Sequence, residues 1–309
     1  MSEILRRIED YNITPVEQLG QHFLIDDEVL DFIGEQVIPG SNVFEVGSGI
    51  GSLTERLAQR ASKVFGLEID GRFREVLAEV SSRNPNVEIF FQDALQFDYK
   101  DFIKSKRDKK ERKNSDWQVI ANLPFHITEP FLRAIVGLPL DDIILTIGDT
   151  SADSLLSQSP QSLSFTKTSM IALAYYEVQK IRDLSKAVFY PPPRTDSAIV
   201  LLVPTDLREQ FSPARQVIRY LLETENRMTI EQAIQQAMQF QKNQSSAKFT
   251  DKRRTHRYDR RNIRRQLSRE LYSKSEDRNQ SKRPDIKLPA DIQKLRFSKL
   301  DNSQLRGLI

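Results

Sequence analysis

Asn42-Val43-Phe44-Glu45-Val46-Gly47-Ser48-Gly49-Ile50-Gly51-Ser52-Leu53-Thr54 is the stretch that decides the fold of this chain. Asn42 to Val46 is a short apolar run with β-branched residues and reads as a buried strand. Three glycines at alternate positions follow, and Leu53 to Arg60 is helical in pattern. A strand that turns through glycines into a helix is the nucleotide-cradling unit of doubly wound α/β folds. The glycines let the backbone pass close to a ligand, and the helix N-terminus offers N–H groups.

The spacing is G-x-G-x-G, with Ser52 where the dinucleotide fingerprint has its third glycine. That points away from NAD and toward S-adenosylmethionine (SAM). Downstream, Lys63–Glu68 is the next strand and ends in an acid twenty-one residues after Gly47. A nucleotide fold places a carboxylate there to accept hydrogen bonds from ribose hydroxyls. Residues 71–82 read as a helix and Val87–Phe91 as a third strand, with Asp93 just beyond it. An acid at that point accepts from an adenine exocyclic amine and selects adenosine.

A fourth strand, Trp117–Ala121, runs into Asn122-Leu123-Pro124-Phe125-His126, followed by a helix over Glu129–Val136 and a strand over Asp142–Ile147. Strands that alternate with helices imply a parallel sheet. Upstream, residues 1–20 read as a polar lead-in, with Arg6 and Arg7 early and Pro15 against any helix. Asp26 and Asp27 then cap a helix over Glu28–Val37. Past the fifth strand, Thr150–Thr168 reads as a mobile connection rich in Ser, Gln and Thr. Ala172–Ile181 and Ala198–Val203 read as an antiparallel closing pair around the stiff turn Phe189–Arg194. No strand signal remains after about residue 206. The expected architecture is α/β: a doubly wound, Rossmann-like sheet of the SAM-dependent kind over residues 1–205, and a small α-helical, basic domain over 206–309.

Composition narrows the chemistry. There is no cysteine and there are only three histidines, so disulfide frameworks, thiolate metal sites and Ser-His-Asp catalysis are excluded or remote. No apolar run approaches the ~20 residues of a membrane span. The N-terminal residues lack the apolar core of a signal peptide. A cytoplasmic monomer without a membrane partner is expected. Net charge is +3, yet Lys248–Lys274 carries eleven Lys/Arg against three Asp/Glu. Such asymmetry marks a polyanion-facing segment, with Arg253, Arg254, Arg257, Arg260, Arg261, Arg264 and Arg265 as its RNA-binding candidates. Residues 100–116, with eight basic and four acidic side chains, read as a long exposed loop or helix extension.

Asn-Leu-Pro-Phe suits one reaction, methylation of the exocyclic amine of adenine. That nitrogen is a poor nucleophile because its lone pair is delocalised into the ring. A side-chain amide oxygen (Asn122) and a backbone carbonyl (Leu123) accept its hydrogens and favour a more tetrahedral nitrogen. Pro124 stiffens the turn, and Phe125 stacks on an extruded base. No strong general base is needed, because the methylated amine loses its proton readily.

With these residues in hand, the chain resembles the ribosomal RNA adenine N6,N6-dimethyltransferases, the KsgA and Erm group. The resemblance rests on Gly20–Leu24, Glu45–Thr54, Gly66–Asp70, Asp93-Ala94, Asn122–Phe125, and Phe189–Pro193 before Ser197–Val200, and covers roughly residues 15–204. It implies a SAM site formed by His22, Leu24, Gly47, Glu68, Asp93 and Asn122, with Phe125 against the target adenine. It also implies two methyl transfers to each base. Departures accompany it. His22 stands where many members carry asparagine, and Ser48 replaces a usual proline. Ile144–Thr150 lacks the Gln-Lys-Glu stretch common beyond this strand, and the 100–116 segment is longer than is typical.

Asn-Leu-Pro and the ending Arg296–Arg306 lean toward the KsgA type, which implies two adjacent adenosines near the 3′ end of small-subunit rRNA during ribosome biogenesis. The Erm type, acting on large-subunit rRNA in antibiotic resistance, is an alternative. An RNA- or DNA-binding assembly factor with weakened catalysis is the other.

Overall fold

A computed structural model describes residues 3–106, 116–157 and 162–205, together with 219, 229, 232, 233, 235 and 236. The chain divides into two compact units, Met1–Thr205 and Asp206–Ile309. The elements below belong to the first.

The strand under the opening motif is β2 (Asn42–Val46), after a two-residue β1 (Phe23–Leu24). It is followed by β3 (Lys63–Glu68), β4 (Val87–Phe91), β5 (Trp117–Asn122) and β6 (Asp142–Gly148). The last three are β7 (Tyr176–Leu184), β8 (Phe189–Tyr190) and β9 (Ser197–Pro204). Seven of them form one sheet in the order β4-β3-β2-β5-β6-β9-β7. The pairs from β4 through β6 are parallel, whereas β9 runs antiparallel to both β6 and β7. The strand order reverses between β2 and β5, and α/β sheets open a crevice for ligands at that reversal, beyond the carboxyl ends of the strands.

The helices are α1 (Glu3–Asp10), α2 (Asp27–Glu35), α3 (Ser52–Ala58), α4 (Arg74–Arg83) and α5 (Tyr99–Ser105). Then come α6 (Thr128–Ile135), α7 (Asp149–Leu156) and α8 (Lys167–Tyr175). As expected, Asp26 caps α2, its side chain accepting from the Val29 amide at 2.9 Å. Alternation along the strands separates two cores. Val43, Val64, Ile120 and Ile144 join Leu30, Ile33, Leu57 and Leu77 in one cluster. Phe44 and Phe65 belong to an aromatic cluster in which Phe44 stacks on Trp117 at 4.9 Å and meets Tyr99 edge-on at 5.1 Å.

Three local expectations are corrected. The lead-in contains a helix, α1, because Ile4, Arg7 and Ile8 fall on one face and are buried; it ends well before Pro15. The connection over 150–168 holds α7, whose Ala152 and Leu155 are buried, and leads into α8. Ala172–Tyr175 completes α8 instead of opening a strand, and β7 begins at Tyr176. Met170, Ile171, Ala172, Ala174 and Tyr175 are all buried, and a run apolar on every side shows no period that separates helix from strand. Residues 107–115, within the long charged segment, lie outside the described residues.

Candidate active site

A cleft opens over the β2/β5 reversal, and its lining includes His22, Gly47, Glu68, Asp93, Asn122 and Leu123. They come from the lead-in and from the carboxyl ends of four strands, Asn122 and Leu123 sharing one, so residues a hundred positions apart share one cavity. Leu24 is a departure. Phe23 lines the cleft, and Leu24, its neighbour on the short strand β1, is not among the lining residues. Leu24 is buried in the core cluster. Phe125 opens the 3₁₀ turn Phe125–Ile127, and its side chain lies outside the described residues. Arg253, Arg254, Arg257, Arg260, Arg261, Arg264 and Arg265 also lie outside them.

The glycine turn works by shape. Gly47, Gly49 and Gly51 all have positive φ (76°, 53° and 82°), where a side chain is strained. A Cβ on Gly51 would stand 2.6 Å from Val80 Cγ2, so glycine is also what lets α3 start against α4. The turn's amides face the protein. Those of Gly47 and Ser48 donate to the Leu67 carbonyl, and that of Gly51 donates to the Ser48 carbonyl. The Gly49 amide donates to Glu68 Oε2 at 2.7 Å.

Glu68 is thereby fixed at the mouth of the cleft. Its other oxygen, Oε1, accepts from the Asp70 amide at 2.8 Å. Burial pushes its carboxyl up from the ordinary range, opposed by those two amides. Beneath the turn lies a second acid that sequence reading leaves without a role. Glu45 is 1 % exposed, and its Oε2 accepts from Thr54 Oγ1 at 2.6 Å and Ser48 Oγ at 2.8 Å. Burial raises its carboxyl to about 7, against the lowering by these hydroxyls. Ser48, at the position usually held by proline, is what supplies one of them.

On the opposite wall, Asn122 Nδ2 donates to the His22 backbone carbonyl at 3.1 Å. With the nitrogen tied back, Oδ1 is the amide atom left to act as an acceptor. The His22 ring reaches onward, Nδ1 lying 2.7 Å from the Pro191 carbonyl. Since a carbonyl only accepts, Nδ1 carries a hydrogen in this contact. Beyond Glu68, Gln21 Nε2 donates to Asp70 Oδ2 at 2.8 Å, and Arg72 Nε donates to the same carboxylate at 3.0 Å. The Arg72 guanidinium holds Asp70 down to about 2.

Sequence reasoning passes over Ile69 and Leu95, apolar residues of the lining that stay partly open, Ile69 at 61 %. Their signal is available: each lies within two residues of an acid at a strand end. Where the Gln-Lys-Glu stretch is missing, Gly148 ends β6 and Asp149 starts α7. Burial raises the Asp149 carboxyl, with Lys180 lowering it and Asp183 and Asp196 adding to the rise.

Two carboxylates, Glu68 and Asp93, line the cleft, and among the described lining residues there is no lysine or arginine. Such a wall attracts a cation and repels phosphates. It fits SAM, a nucleoside carrying a sulfonium and no phosphate, better than a dinucleotide. Among the described residues no group of His, Asp or Glu side chains is placed to hold a metal ion. No helix among them is long and apolar enough to cross a membrane.

Comparison with known proteins agrees with this geometry. The model of the ribosomal RNA adenine dimethylase family matches residues 15–283. The ribosomal RNA small subunit methyltransferase A of Bacillus licheniformis is 34% identical over 204 residues, 65% of this chain and 67% of that one. The protein of the same name from Geobacillus kaustophilus is 35% identical over 200 residues, 63% and 67% of the two chains. Among solved structures, a dimethyladenosine transferase from Plasmodium falciparum shares the fold with a TM-score of 0.52 and 20% identity. That match covers 93% of this chain and 96% of that one.

Proposed function

This chain belongs to the ribosomal RNA adenine dimethylase family, and from that membership we propose that it dimethylates adenosines of small-subunit rRNA during ribosome biogenesis, two adjacent ones near the 3′ end. Its cofactor is SAM, which supplies a methyl group made electrophilic by the sulfonium. The observation that carries the reading is the tie from Asn122 Nδ2 to the His22 carbonyl, which leaves Oδ1 as an acceptor in a cleft shared with Glu68 and Asp93.

Asn122 Oδ1 and the Leu123 carbonyl accept the two hydrogens of the target amine and orient its lone pair. SAM would supply the methyl group to that lone pair, and the proton that the methylated amine sheds would pass to water. Glu68 accepts from the ribose hydroxyls of the cofactor, and Asp93 accepts from its adenine amine. His22 and Gly47 complete that wall, whereas Leu24 supports it from the core. Phe125 stacks on the target base. Residues 206–309 contact RNA, with Arg253, Arg254, Arg257, Arg260, Arg261, Arg264 and Arg265 meeting phosphates. The working unit is a cytoplasmic monomer.

The test is a transfer assay with labelled SAM on unmethylated small subunits, large-subunit RNA and no RNA, with Asn122→Ala beside the wild type. Dimethyladenosine formed on small subunits, and lost in the variant, supports the reading. Transfer confined to large-subunit RNA would move the protein to the Erm type, and SAM binding without any transfer would make it a binding factor.

A further inference from the structure

We infer that Arg7, on the N-terminal helix α1, is a positioning residue for the cofactor loop: it clamps the Ile50 carbonyl and so fixes the turn whose Gly49 amide holds Glu68. Arg7 is 8 % exposed. Its Nη1 donates to the Ile50 carbonyl at 3.2 Å. Its Nη2 lies 3.1 and 3.0 Å from the two carboxylate oxygens of Glu55, on α3. The inference rests on the reading of this turn as part of the SAM site.

Arg7 adds an outside hold to the turn's internal bonds. The Ile50 carbonyl shares its peptide with the Gly51 amide, which donates to the Ser48 carbonyl at 2.8 Å, and Gly51 at positive φ leaves that peptide free to rotate on one side. If the Ile50 carbonyl swings, the Gly51 amide swings with it and lets go of the Ser48 carbonyl, whose own peptide carries the Gly49 amide that donates to Glu68 at 2.7 Å. Arg7 selects one orientation of this peptide, and neither Arg7 nor Ile50 is among the residues that line the cleft. A leucine at position 7 would bury the same face of α1 beside Ile4 and Ile8 without desolvating a charge. It has no donor for the carbonyl. The pairing with Glu55 neutralises the guanidinium and ties α1 to the helix that leaves the turn. Arg6, its exposed neighbour, enters none of these contacts and serves as the control.

The test is calorimetric titration of the full-length protein with SAM, without RNA, on the wild type and on Arg7→Leu, Arg7→Lys, Glu55→Gln and Arg6→Ala. Losing a hydrogen bond from a charged donor corresponds to about a tenfold weakening, expected here in the Kd of Arg7→Leu. Arg7→Lys, which reaches the carbonyl or the carboxylate but not both, and Glu55→Gln should each weaken SAM binding by about two- to fivefold. Arg6→Ala should bind as the wild type does. In turnover assays the KM for SAM should rise, while kcat and the KM for RNA at saturating SAM stay put. A purely structural arginine would lower the melting temperature and leave Kd unchanged well below it, and that result overturns the inference. If Arg7→Leu does not fold, unchanged Kd values for Arg7→Lys and Glu55→Gln overturn it equally. A wild type that binds no SAM removes the reading of the site and this inference with it.

Discussion

Asn122 Nδ2 lies 3.1 Å from the backbone carbonyl of His22, a contact between residues a hundred positions apart. The bond sets which amide atom serves as the acceptor. Asn122→Ala should therefore lower the transfer rate by about a hundredfold or more, because the target amine loses its orientation. Asn122→Asp should fail as well, although it keeps an acceptor. Its second oxygen would face the His22 carbonyl, and the two repel. Single-turnover transfer with labelled SAM checks both, and an active Asp variant would refute this role for the tie.

Glu68 accepts two backbone amides, from Gly49 and Asp70. In Glu68→Gln one of those N–H groups meets an NH₂ and is left unpaired, at about 1–3 kcal/mol. SAM binding should weaken and the denaturation midpoint should fall together. Calorimetric titration beside urea unfolding reads both quantities. Wild-type affinity in the Gln variant would remove Glu68 from the site.

Glu45 gives stability an unusual pH dependence. Its folded carboxyl is raised to about 7 from an ordinary 4.5, so the fold favours the protonated form. That contribution is complete below pH 4.5, declines as pH rises, and is gone above about 7. Its size is on the order of 3 kcal/mol. Glu45→Gln, a permanent mimic of the protonated acid, should gain on the wild type between pH 5 and 8 in thermal melts. Parallel curves for the two proteins across that window would contradict the assignment.

The basic residues at 253–265 carry a prediction about salt. Reversing Arg254 and Arg261 to Glu should weaken RNA binding and make it less sensitive to salt. The log–log slope should become shallower by about 0.7–0.9 for each phosphate that the protein no longer neutralises. Fluorescence anisotropy over a salt series measures it. An unchanged slope and affinity would separate this segment from RNA.

Much of the site is legible in the sequence because its signals are local. Gly47, Glu68, Asp93 and Asn122 each stand at or just past the end of a short apolar strand, and β2, β3 and β4 have the bounds that alternation and β-branching indicate. Other parts depend on contacts that no local pattern carries. Arg7 looks like a surface cation until α1 folds against the glycine turn. Glu45 is hidden inside a motif whose glycines draw the attention, and its partners Ser48 and Thr54 acquire meaning only when the turn closes above it. The end of α8 reads as strand because burial on all sides erases periodicity. Resemblance places Leu24 at the cleft, and its burial in the core beside Phe23 is visible only in three dimensions.

The pairing of β1 with β8 (Phe23 with Tyr190, Leu24 with Phe189) has a consequence for synthesis. The front wall of the cleft is sewn from the two ends of the first unit, and the His22–Pro191 contact joins residues 169 positions apart. A ribosome delivers the glycine turn, Glu68 and Asn122 long before it delivers that partner. Until residues 189–191 emerge, His22 lacks the contact that braces the segment to which Asn122 is tied. Closure of so long a loop comes late and slowly. The nascent chain thus lacks the brace on this wall of its cleft until nearly the whole first unit has been made.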